Sequence, residues 1–313
     1  MERPIIIATR GSALALAQAN FIAAQCREFF PHLRFELKII KTTGDKMQQM
    51  SLSQGNLPKG LFTKELEVAL IEGQADLAVH SLKDLPTDLP AGLIVAATPK
   101  RADVRDVIVY RSVNNSPGLM LKNFPKGATV ATSSTRRKMQ LSAARPDFKL
   151  VEIRGNVPTR LQKVAEQREL DATVLALAGL TRLNYQIQPD GKLIGDAVPD
   201  GLLATVLDLD VMLPCVGQGA IGIEIRTNDE RIAIICERLN HDDTFQCTTA
   251  ERAFLSAMGG GCQSPVAAYA EVVGDKITMS ALSFTHETAR RAQMKRPVSE
   301  AALLGEQLAA QLK

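Results

Sequence analysis

Through segment 1–99, short aliphatic runs alternate with amphipathic stretches, the pattern of an α/β unit built on a largely parallel sheet. Ile5-Ile6-Ile7-Ala8 reads as a first buried strand. Ser12 then caps a long helix running to about Phe30, where Pro31 stops it, and Phe35 to Ile40 reads as the next strand. Phe62 to Glu72 has helical spacing; Asp76-Leu77-Ala78-Val79 and Leu93 to Ala97 read as further strands.

The same grammar restarts near Asp106 and runs through segment 104–214. Val107-Ile108-Val109, Thr129-Val130-Ala131, Leu150-Val151-Glu152-Ile153 and Thr173-Val174-Leu175 are its strands, with helices from about Thr135 and Pro158. Tyr185 to Gly201 is rich in Gly, Pro, Asn and Asp without periodicity and reads as a surface excursion. Ala220 to Ile225 resembles a strand, within a segment of about 218–238 that returns to the first lobe. Segment 241–313 reads as a smaller α+β unit with two strand-like runs and a closing amphipathic helix from Glu300 to Leu312.

Composition narrows the function classes. A chain of 313 residues with 45% hydrophobic content fills more than one core, so two or three domains are expected. With 37 basic against 34 acidic residues, the net charge of +3 gives no nucleic-acid footprint, and 4% aromatics without Trp offer few stacking platforms. Cys26, Cys215, Cys236, Cys247 and Cys262 are odd in number and form no C-x-x-C pair, so neither a disulfide framework nor a zinc site is expected. Arg10 and Gly11 interrupt the apolar N-terminal run that could pass for a leader, and no stretch reaches the ~20 apolar residues of a spanning helix. A cytoplasmic protein without membrane contact is the expectation.

Candidate chemistry begins with cations where the helix macrodipole disfavours them. In Thr132-Ser133-Ser134-Thr135-Arg136-Arg137, capping hydroxyls precede two arginines in a first helical turn, a placement costing about 0.3–1 kcal/mol per cation that an anion would reverse. Arg10 before Ser12, and Arg154 and Arg160 around Gly155-Asn156-Val157-Pro158, repeat it. A solvated surface would account for one such pair; three junctions point to an anion site at the carboxyl ends of strands. Asp84, in His80-Ser81-Leu82-Lys83-Asp84-Leu85-Pro86, either caps a turn or stabilises a cationic intermediate, provided no arginine pairs with it directly. His80 reads as a structural histidine. Cys262 follows three glycines, so its backbone can approach another group closely, whereas Cys26 reads as buried packing. No histidine is marked as the base of a Cys–His protease. A two-lobed carboxylate-binding protein without catalysis would also use these arginines.

The motifs are collinear: Ala8-Thr9-Arg10-Gly11-Ser12 with Gln18; Lys59-Gly60-Leu61-Phe62-Thr63-Lys64-Glu65; His80 to Pro86; Thr132 to Arg137; Arg154-Gly155-Asn156-Val157; Val216-Gly217-Gln218-Gly219-Ala220; and Gly260-Gly261-Cys262-Gln263. In that order they resemble the porphobilinogen deaminase, or hydroxymethylbilane synthase, family over nearly the whole chain. The resemblance implies two α/β lobes like those of periplasmic binding proteins around a cleft, plus a smaller α+β C-terminal domain carrying the cofactor cysteine. It implies a transferase of porphyrin and heme biosynthesis that condenses porphobilinogen stepwise, with loss of ammonia, onto a dipyrromethane cofactor joined to Cys262 by a thioether. The product is the linear tetrapyrrole hydroxymethylbilane. Asp84 is then catalytic, opposite the azafulvene-type cation left by ammonia. Arg10, Ser12, Lys83, Thr132, Ser133, Arg136, Arg137, Arg154, Gly155 and Arg160 bind carboxylates of cofactor and substrate, and Gln18, Lys59, Phe62, Asn156, Arg182 and Gln218 are further cleft contacts. No metal or nucleotide is implied, and a monomer is expected. The chain departs from the family pattern at Gln54 to Lys59, where one basic contact is missing, at Gly259, and in the longer Tyr185–Gly201 segment.

Overall fold

A computed structural model describes residues 3–47, 60–111, 118–261, 264–286 and 288–313. Cys262 and the Gln54 to Lys59 loop lie outside the described residues.

The first lobe starts with β1 (Ile5–Thr9), α1 (Ala13–Phe29), β2 (Phe35–Ile39), α2 (Thr43–Met47), α3 (Lys64–Ile71), β3 (Leu77–Ser81) and β4 (Leu93–Ala97). β1 pairs in parallel with β2 on one side and β3 on the other. The interior strand β1 is covered on both faces, which is why Ile5 to Ala8 is a continuous apolar run, whereas the edge strand β2 alternates with Glu36 and Lys38. Ile5 and Ile7 pack with Ile22 and Cys26 of α1, while Ala8 packs with Leu66 and Leu70 of α3. Full burial of each isoleucine contributes about 1.5–3 kcal/mol. Ser12 caps α1 through its Oγ, which accepts from Ala15 N at 3.3 Å.

The second lobe contains β5 (Asp106–Arg111), β6 (Thr129–Ala131), α4 (Thr135–Ala144), β7 (Lys149–Val151), α5 (Val157–Glu166), β8 (Ala172–Ala176), α6 (Leu177–Arg182), β9 (Gln186–Ile187), β10 (Leu193–Ile194) and β11 (Leu202–Val206). Its main sheet has the order β11-β5-β8-β6-β7. β6 is parallel to β7 and β8, whereas β5 runs antiparallel to β8 and β11. The Tyr185–Gly201 excursion is more ordered than its composition predicts: β9 and β10 form a short antiparallel pair, and Tyr185 and Leu193 are buried in the lobe core. Strands this short carry no visible period.

The chain then returns to the first lobe as β12 (Ile221–Arg226), which enters antiparallel between β3 and β4 and completes the order β2-β1-β3-β12-β4. α7 (Glu230–Leu239) covers it with Ile232, Ile235 and Leu239. Two crossovers, 98–105 and 207–220, therefore join the lobes.

The C-terminal domain comprises α8 (Asp242–Ala257), β13 (Val266–Val273), β14 (Lys276–Ser283), β15 (Arg290–Pro297) and α9 (Ala301–Leu312). Where the sequence reading has two strand-like runs, the structure has three antiparallel strands. β15, Arg-Arg-Ala-Gln-Met-Lys-Arg-Pro, hides in the sequence because an edge strand needs only every second side chain inside: Ala292 and Met294 reach the core formed by Phe254, Ile277, Met279, Leu304 and Leu308. The lobes are α/β and the last domain is α+β.

Candidate active site

On the first lobe, the carboxyl ends of β1 and β3 supply the candidate groups. Arg10 follows β1 directly. Its guanidinium forms an ion pair with Asp45 and lies 4.3 Å from the centre of the Phe62 ring. Burial would push the Asp45 carboxyl up, but hydrogen bonds from Arg10 and Thr42 outweigh it and hold the group below its ordinary range. Gln18, buried on α1, donates to Ser81 Oγ at 2.9 Å and so ties that helix to the end of β3. Beyond Ser81 a tight 3-10 turn, Leu82–Asp84, buries Leu82 and exposes Asp84. Asp84 makes no hydrogen bond or ion pair among the described residues, so no arginine cancels its charge by direct pairing. His80 is a core residue, its Nε2 3.0 Å from Oε2 of the buried Glu224 on β12.

On the second lobe, the anion that offsets the two cations of the first α4 turn is first of all the protein's own Asp106, at the head of β5. Arg136 donates to Asp106 Oδ2 at 2.7 Å and to Leu213 O at 2.8 Å. Arg137 donates to Oδ1 at 2.7 Å and 3.1 Å and to Val174 O at 2.8 Å. Gln218 adds a third donor to Oδ1 at 3.0 Å and bonds Val104 O at 2.7 Å. Burial alone would push the Asp106 carboxyl up; the two guanidiniums outweigh that and bring it down to about 2. One carboxylate between two guanidiniums still leaves a surplus positive charge.

The two arginine-bearing turns of this lobe are fastened to each other. Ser133 Oγ donates to Ile153 O at 2.8 Å and accepts from Ile153 N at 3.2 Å, and Thr132 Oγ1 accepts from Ser134 N at 3.2 Å. These hydroxyls shape the turns. Gly155 has φ +114° and a Cβ there would stand 2.7 Å from Thr159 Cγ2, so the turn requires glycine. Asn156 then caps α5, its Oδ1 accepting from Thr159 N at 3.0 Å. Arg154 is half exposed beside Glu152 at 3.6 Å, a surface contact of small energetic weight.

Arg160 and Arg182 differ from the other arginines. Arg160 Nε donates to Gly155 O at 2.8 Å and Arg182 Nη2 to Gly219 O at 2.7 Å; among the described residues neither has a carboxylate within ion-pair distance. Burial, and then the nearby charge of Arg137, push Arg160 down to about 10 despite the opposing pull of Asp84. Burial alone takes Arg182 down to about 10. A partly desolvated cation held by neutral carbonyls keeps the capacity to pair with an anion. The electrostatic coupling of Arg160 to both Arg137 and Asp84 also brings groups of the two lobes together. Arg10, by contrast, is engaged with Asp45 and Phe62 on the first lobe. Lys83 and Ser12 belong to the same lobe's turns, while Lys59 and Cys262 lie outside the described residues.

Several residues that organise this region carry no sequence signal of their own. Arg101, in the first crossover, makes a two-pronged ion pair with Glu251 of α8 and donates to Gln218 O at 2.8 Å. Glu251 also accepts from Gly217 N at 2.8 Å. Gly217 has φ +71°, and a Cβ there would sit 3.2 Å from Lys83 N, so the Val216 to Ala220 motif lets the second crossover pass close behind the Asp84 turn. Asp106 was open to detection: a carboxylate heading the apolar run Val107 to Tyr110 needs a buried partner. Among the described residues no cluster of His, Cys, Asp and Glu could hold a metal ion.

A family model described as "Porphobilinogen deaminase, dipyromethane cofactor binding domain" matches residues 5–234, and one described as "Porphobilinogen deaminase, C-terminal domain" matches residues 245–313. The chain is 44% identical over 289 residues to the porphobilinogen deaminase of Chlorobium luteolum, covering 92% of this chain and 85% of that one. That of Syntrophomonas wolfei is 44% identical over 280 residues, 90% of this chain and 85% of the other. That of Chlorobaculum tepidum is 42% identical over 315 residues, 99% and 94% respectively. Among solved structures, the BenM effector binding domain with its effector benzoate has a TM-score of 0.43 at 18% identity, over 76% of this chain and 91% of that one, a likeness too distant to bear on function. With the two family models spanning nearly its whole length and relatives above 40% identity along most of it, this chain belongs to the porphobilinogen deaminase family.

Proposed function

We propose that this protein condenses porphobilinogen molecules one at a time, each losing ammonia, onto a dipyrromethane primer attached to Cys262, and that water then cleaves the bond between primer and added chain, releasing hydroxymethylbilane and leaving the primer attached. The observation that carries the reading is the surplus of partly desolvated guanidinium groups, Arg160 and Arg182 with the doubly arginine-bound Asp106 cluster, beside an Asp84 that no cation among the described residues pairs directly. Porphobilinogen carries an acetate and a propionate, so primer and growing chain form a polyanion that such a site neutralises. The residues therefore fit the family's cofactor. When bound, dipyrromethane supplies a pyrrole α-carbon as the nucleophile for chain growth.

The chain's own groups divide the remaining work. Arg160 and Arg182 receive carboxylates at reduced further desolvation cost, since folding has already taken them partly out of water. Arg136 and Arg137 contribute the positive charge that Asp106 leaves uncancelled, and Arg10, Arg154, Lys83, Ser12, Ser133 and Thr132 extend the polar wall. Gln18, Phe62, Asn156, Gly155 and Gln218 hold that wall in place, and Lys59 is assigned to the same cleft. Asp84 stabilises positive charge where ammonia departs and accepts hydrogen bonds from pyrrole N–H groups. The protein acts as a cytoplasmic monomer, without nucleic acid. No helix among the described residues is long and apolar enough to cross a membrane.

Intact-mass measurement of the purified protein tests the reading. The expected mass exceeds the 33.9 kDa of the chain by one dipyrromethane, and Cys262→Ser abolishes the excess together with turnover. A wild-type mass equal to the chain alone, with carboxylate binding but no product, would instead identify a two-lobed binding protein.

A further inference from the structure

We propose that Arg252, on α8 of the C-terminal domain, is a positioning residue for Asp84. Its guanidinium donates to three successive carbonyls of the segment that follows Asp84: Leu85 O at 3.2 Å, Pro86 O at 2.7 Å and Thr87 O at 3.3 Å. The inference rests on the transferase reading above.

Asp84 is exposed and has no hydrogen bond of its own among the described residues, which leaves both carboxylate oxygens available to a ligand. A side chain in that condition takes its position from its backbone. The 3-10 turn that carries it is enclosed on two sides. Behind it stands Gly217, where a Cβ would come within 3.2 Å of Lys83 N. Beyond it stands Arg252. Pro86 has no N–H, so the segment cannot anchor itself there by donation and is held through its carbonyls instead. A planar guanidinium reaches three acceptors from one fixed head; an ammonium lacks that fork.

The neighbouring residue gives the contact a second meaning. Glu251 binds Arg101 and Gly217 N, so two consecutive side chains of α8 hold the crossovers and the Asp84 segment at once. The domain whose sequence contains Cys262 thereby sets the position of Asp84 on the first lobe. Through Arg252 the Asp84 turn is tied to α8 of that domain, and a turn misplaced by about 1 Å can cost on the order of 100-fold in rate.

The test uses holoenzyme of wild type, Arg252→Gln, Arg252→Lys, Asp84→Asn and the Arg252→Gln/Asp84→Asn double variant, with loading checked by intact mass. Arg252→Gln is expected to lower kcat for porphobilinogen about 10- to 100-fold with KM within about twofold, and Arg252→Lys to recover only part of the loss. In the Asp84→Asn background, Arg252→Gln should change kcat by less than about twofold, because its effect passes through a carboxylate no longer there. A further loss of about 10-fold in that background would overturn the proposal. Amide exchange gives an independent readout: Leu85 N–H, bonded to Leu82 O at 3.1 Å, should exchange faster in Arg252→Gln while Val79 is unchanged. Unaltered exchange at Leu85 would overturn the clamp even if kcat fell. Wild-type protein with neither adduct nor turnover would refute the transferase reading instead, and exchange at Leu85 would then decide the clamp alone.

Discussion

Arg101 and Glu251 meet in a two-pronged ion pair of 2.6 Å and 2.9 Å that fastens the first crossover to the C-terminal domain. Burial would lower the Arg101 pKa, but Glu251 outweighs it and raises it, so the guanidinium stays charged. Removing one partner leaves the other buried and uncompensated. Glu251→Ala should therefore cost about 3–5 kcal/mol, seen by calorimetry as a lower melting temperature, and Arg101→Met with Glu251→Ala should cost less than the sum of the single changes. Strict additivity would mean that the pair contributes no coupling.

Asp106 gives the second lobe a defined response to acid. Its folded carboxyl, at about 2, lies below the ordinary 3.8, so the stability it contributes is complete above about pH 4 and is lost as pH falls from there toward 2. Asp106→Asn should remove that acid transition and, at neutral pH, destabilise the protein by about 3–5 kcal/mol because Arg136 and Arg137 lose their counter-charge. Far-ultraviolet melting of both proteins between pH 2 and 7 checks the pair of outcomes.

Arg160 and Arg182 predict the opposite end of the pH scale. Both are pushed down to about 10, so the charge that binds carboxylate is present below that pH and lost as pH rises through it. KM for porphobilinogen should hold steady from about pH 7 to 9 and rise above about pH 10. Arg160→Met or Arg182→Met should raise KM about 10-fold or more at neutral pH, the worth of one charge-assisted hydrogen bond. Saturation kinetics across that range are the measurement.

The cysteines divide by burial. Burial pushes Cys26, Cys236 and Cys247 up to about 12, so these thiols stay protonated through neutral pH, while Cys215 is only half-buried. Iodoacetamide at pH 8 should modify native protein at Cys215 and spare the three buried thiols, and a thioether at Cys262 blocks that position too. Peptide mass mapping reads the pattern; alkylation of Cys262 in native holoenzyme would contradict its proposed attachment to dipyrromethane.

The parts of this fold that show in the sequence are those in which local pattern and tertiary burial agree. The runs Ile5 to Ala8 of β1 and Leu77 to Val79 of β3 are apolar because helices cover both faces, and α1 carries its own start and stop in Ser12 and Pro31. β15 and the β9–β10 pair are hidden for physical reasons, the first because half its residues face water and the second because two residues show no period. The site divides similarly. Arginines at helix starts conflict with the macrodipole and so stand out, but their shared partner Asp106 lies 30 and 31 residues away, where spacing carries no information. Arg252 and Arg101 look like any surface cation; only the fold shows that one grips carbonyls and the other a buried carboxylate.

The position of β12 has a consequence for how the protein is made. It is an interior strand of the first sheet, lying between β3 and β4, yet it is encoded after the entire second lobe. As the chain leaves the ribosome, β3 and β4 emerge early with a vacant lane between them. The second lobe, whose strands run from Asp106 to Val206 in one stretch, can close while the first still waits. The earlier-made lobe is thus the later to finish, and its unpaired strand edges are what must be kept from pairing elsewhere in the interval.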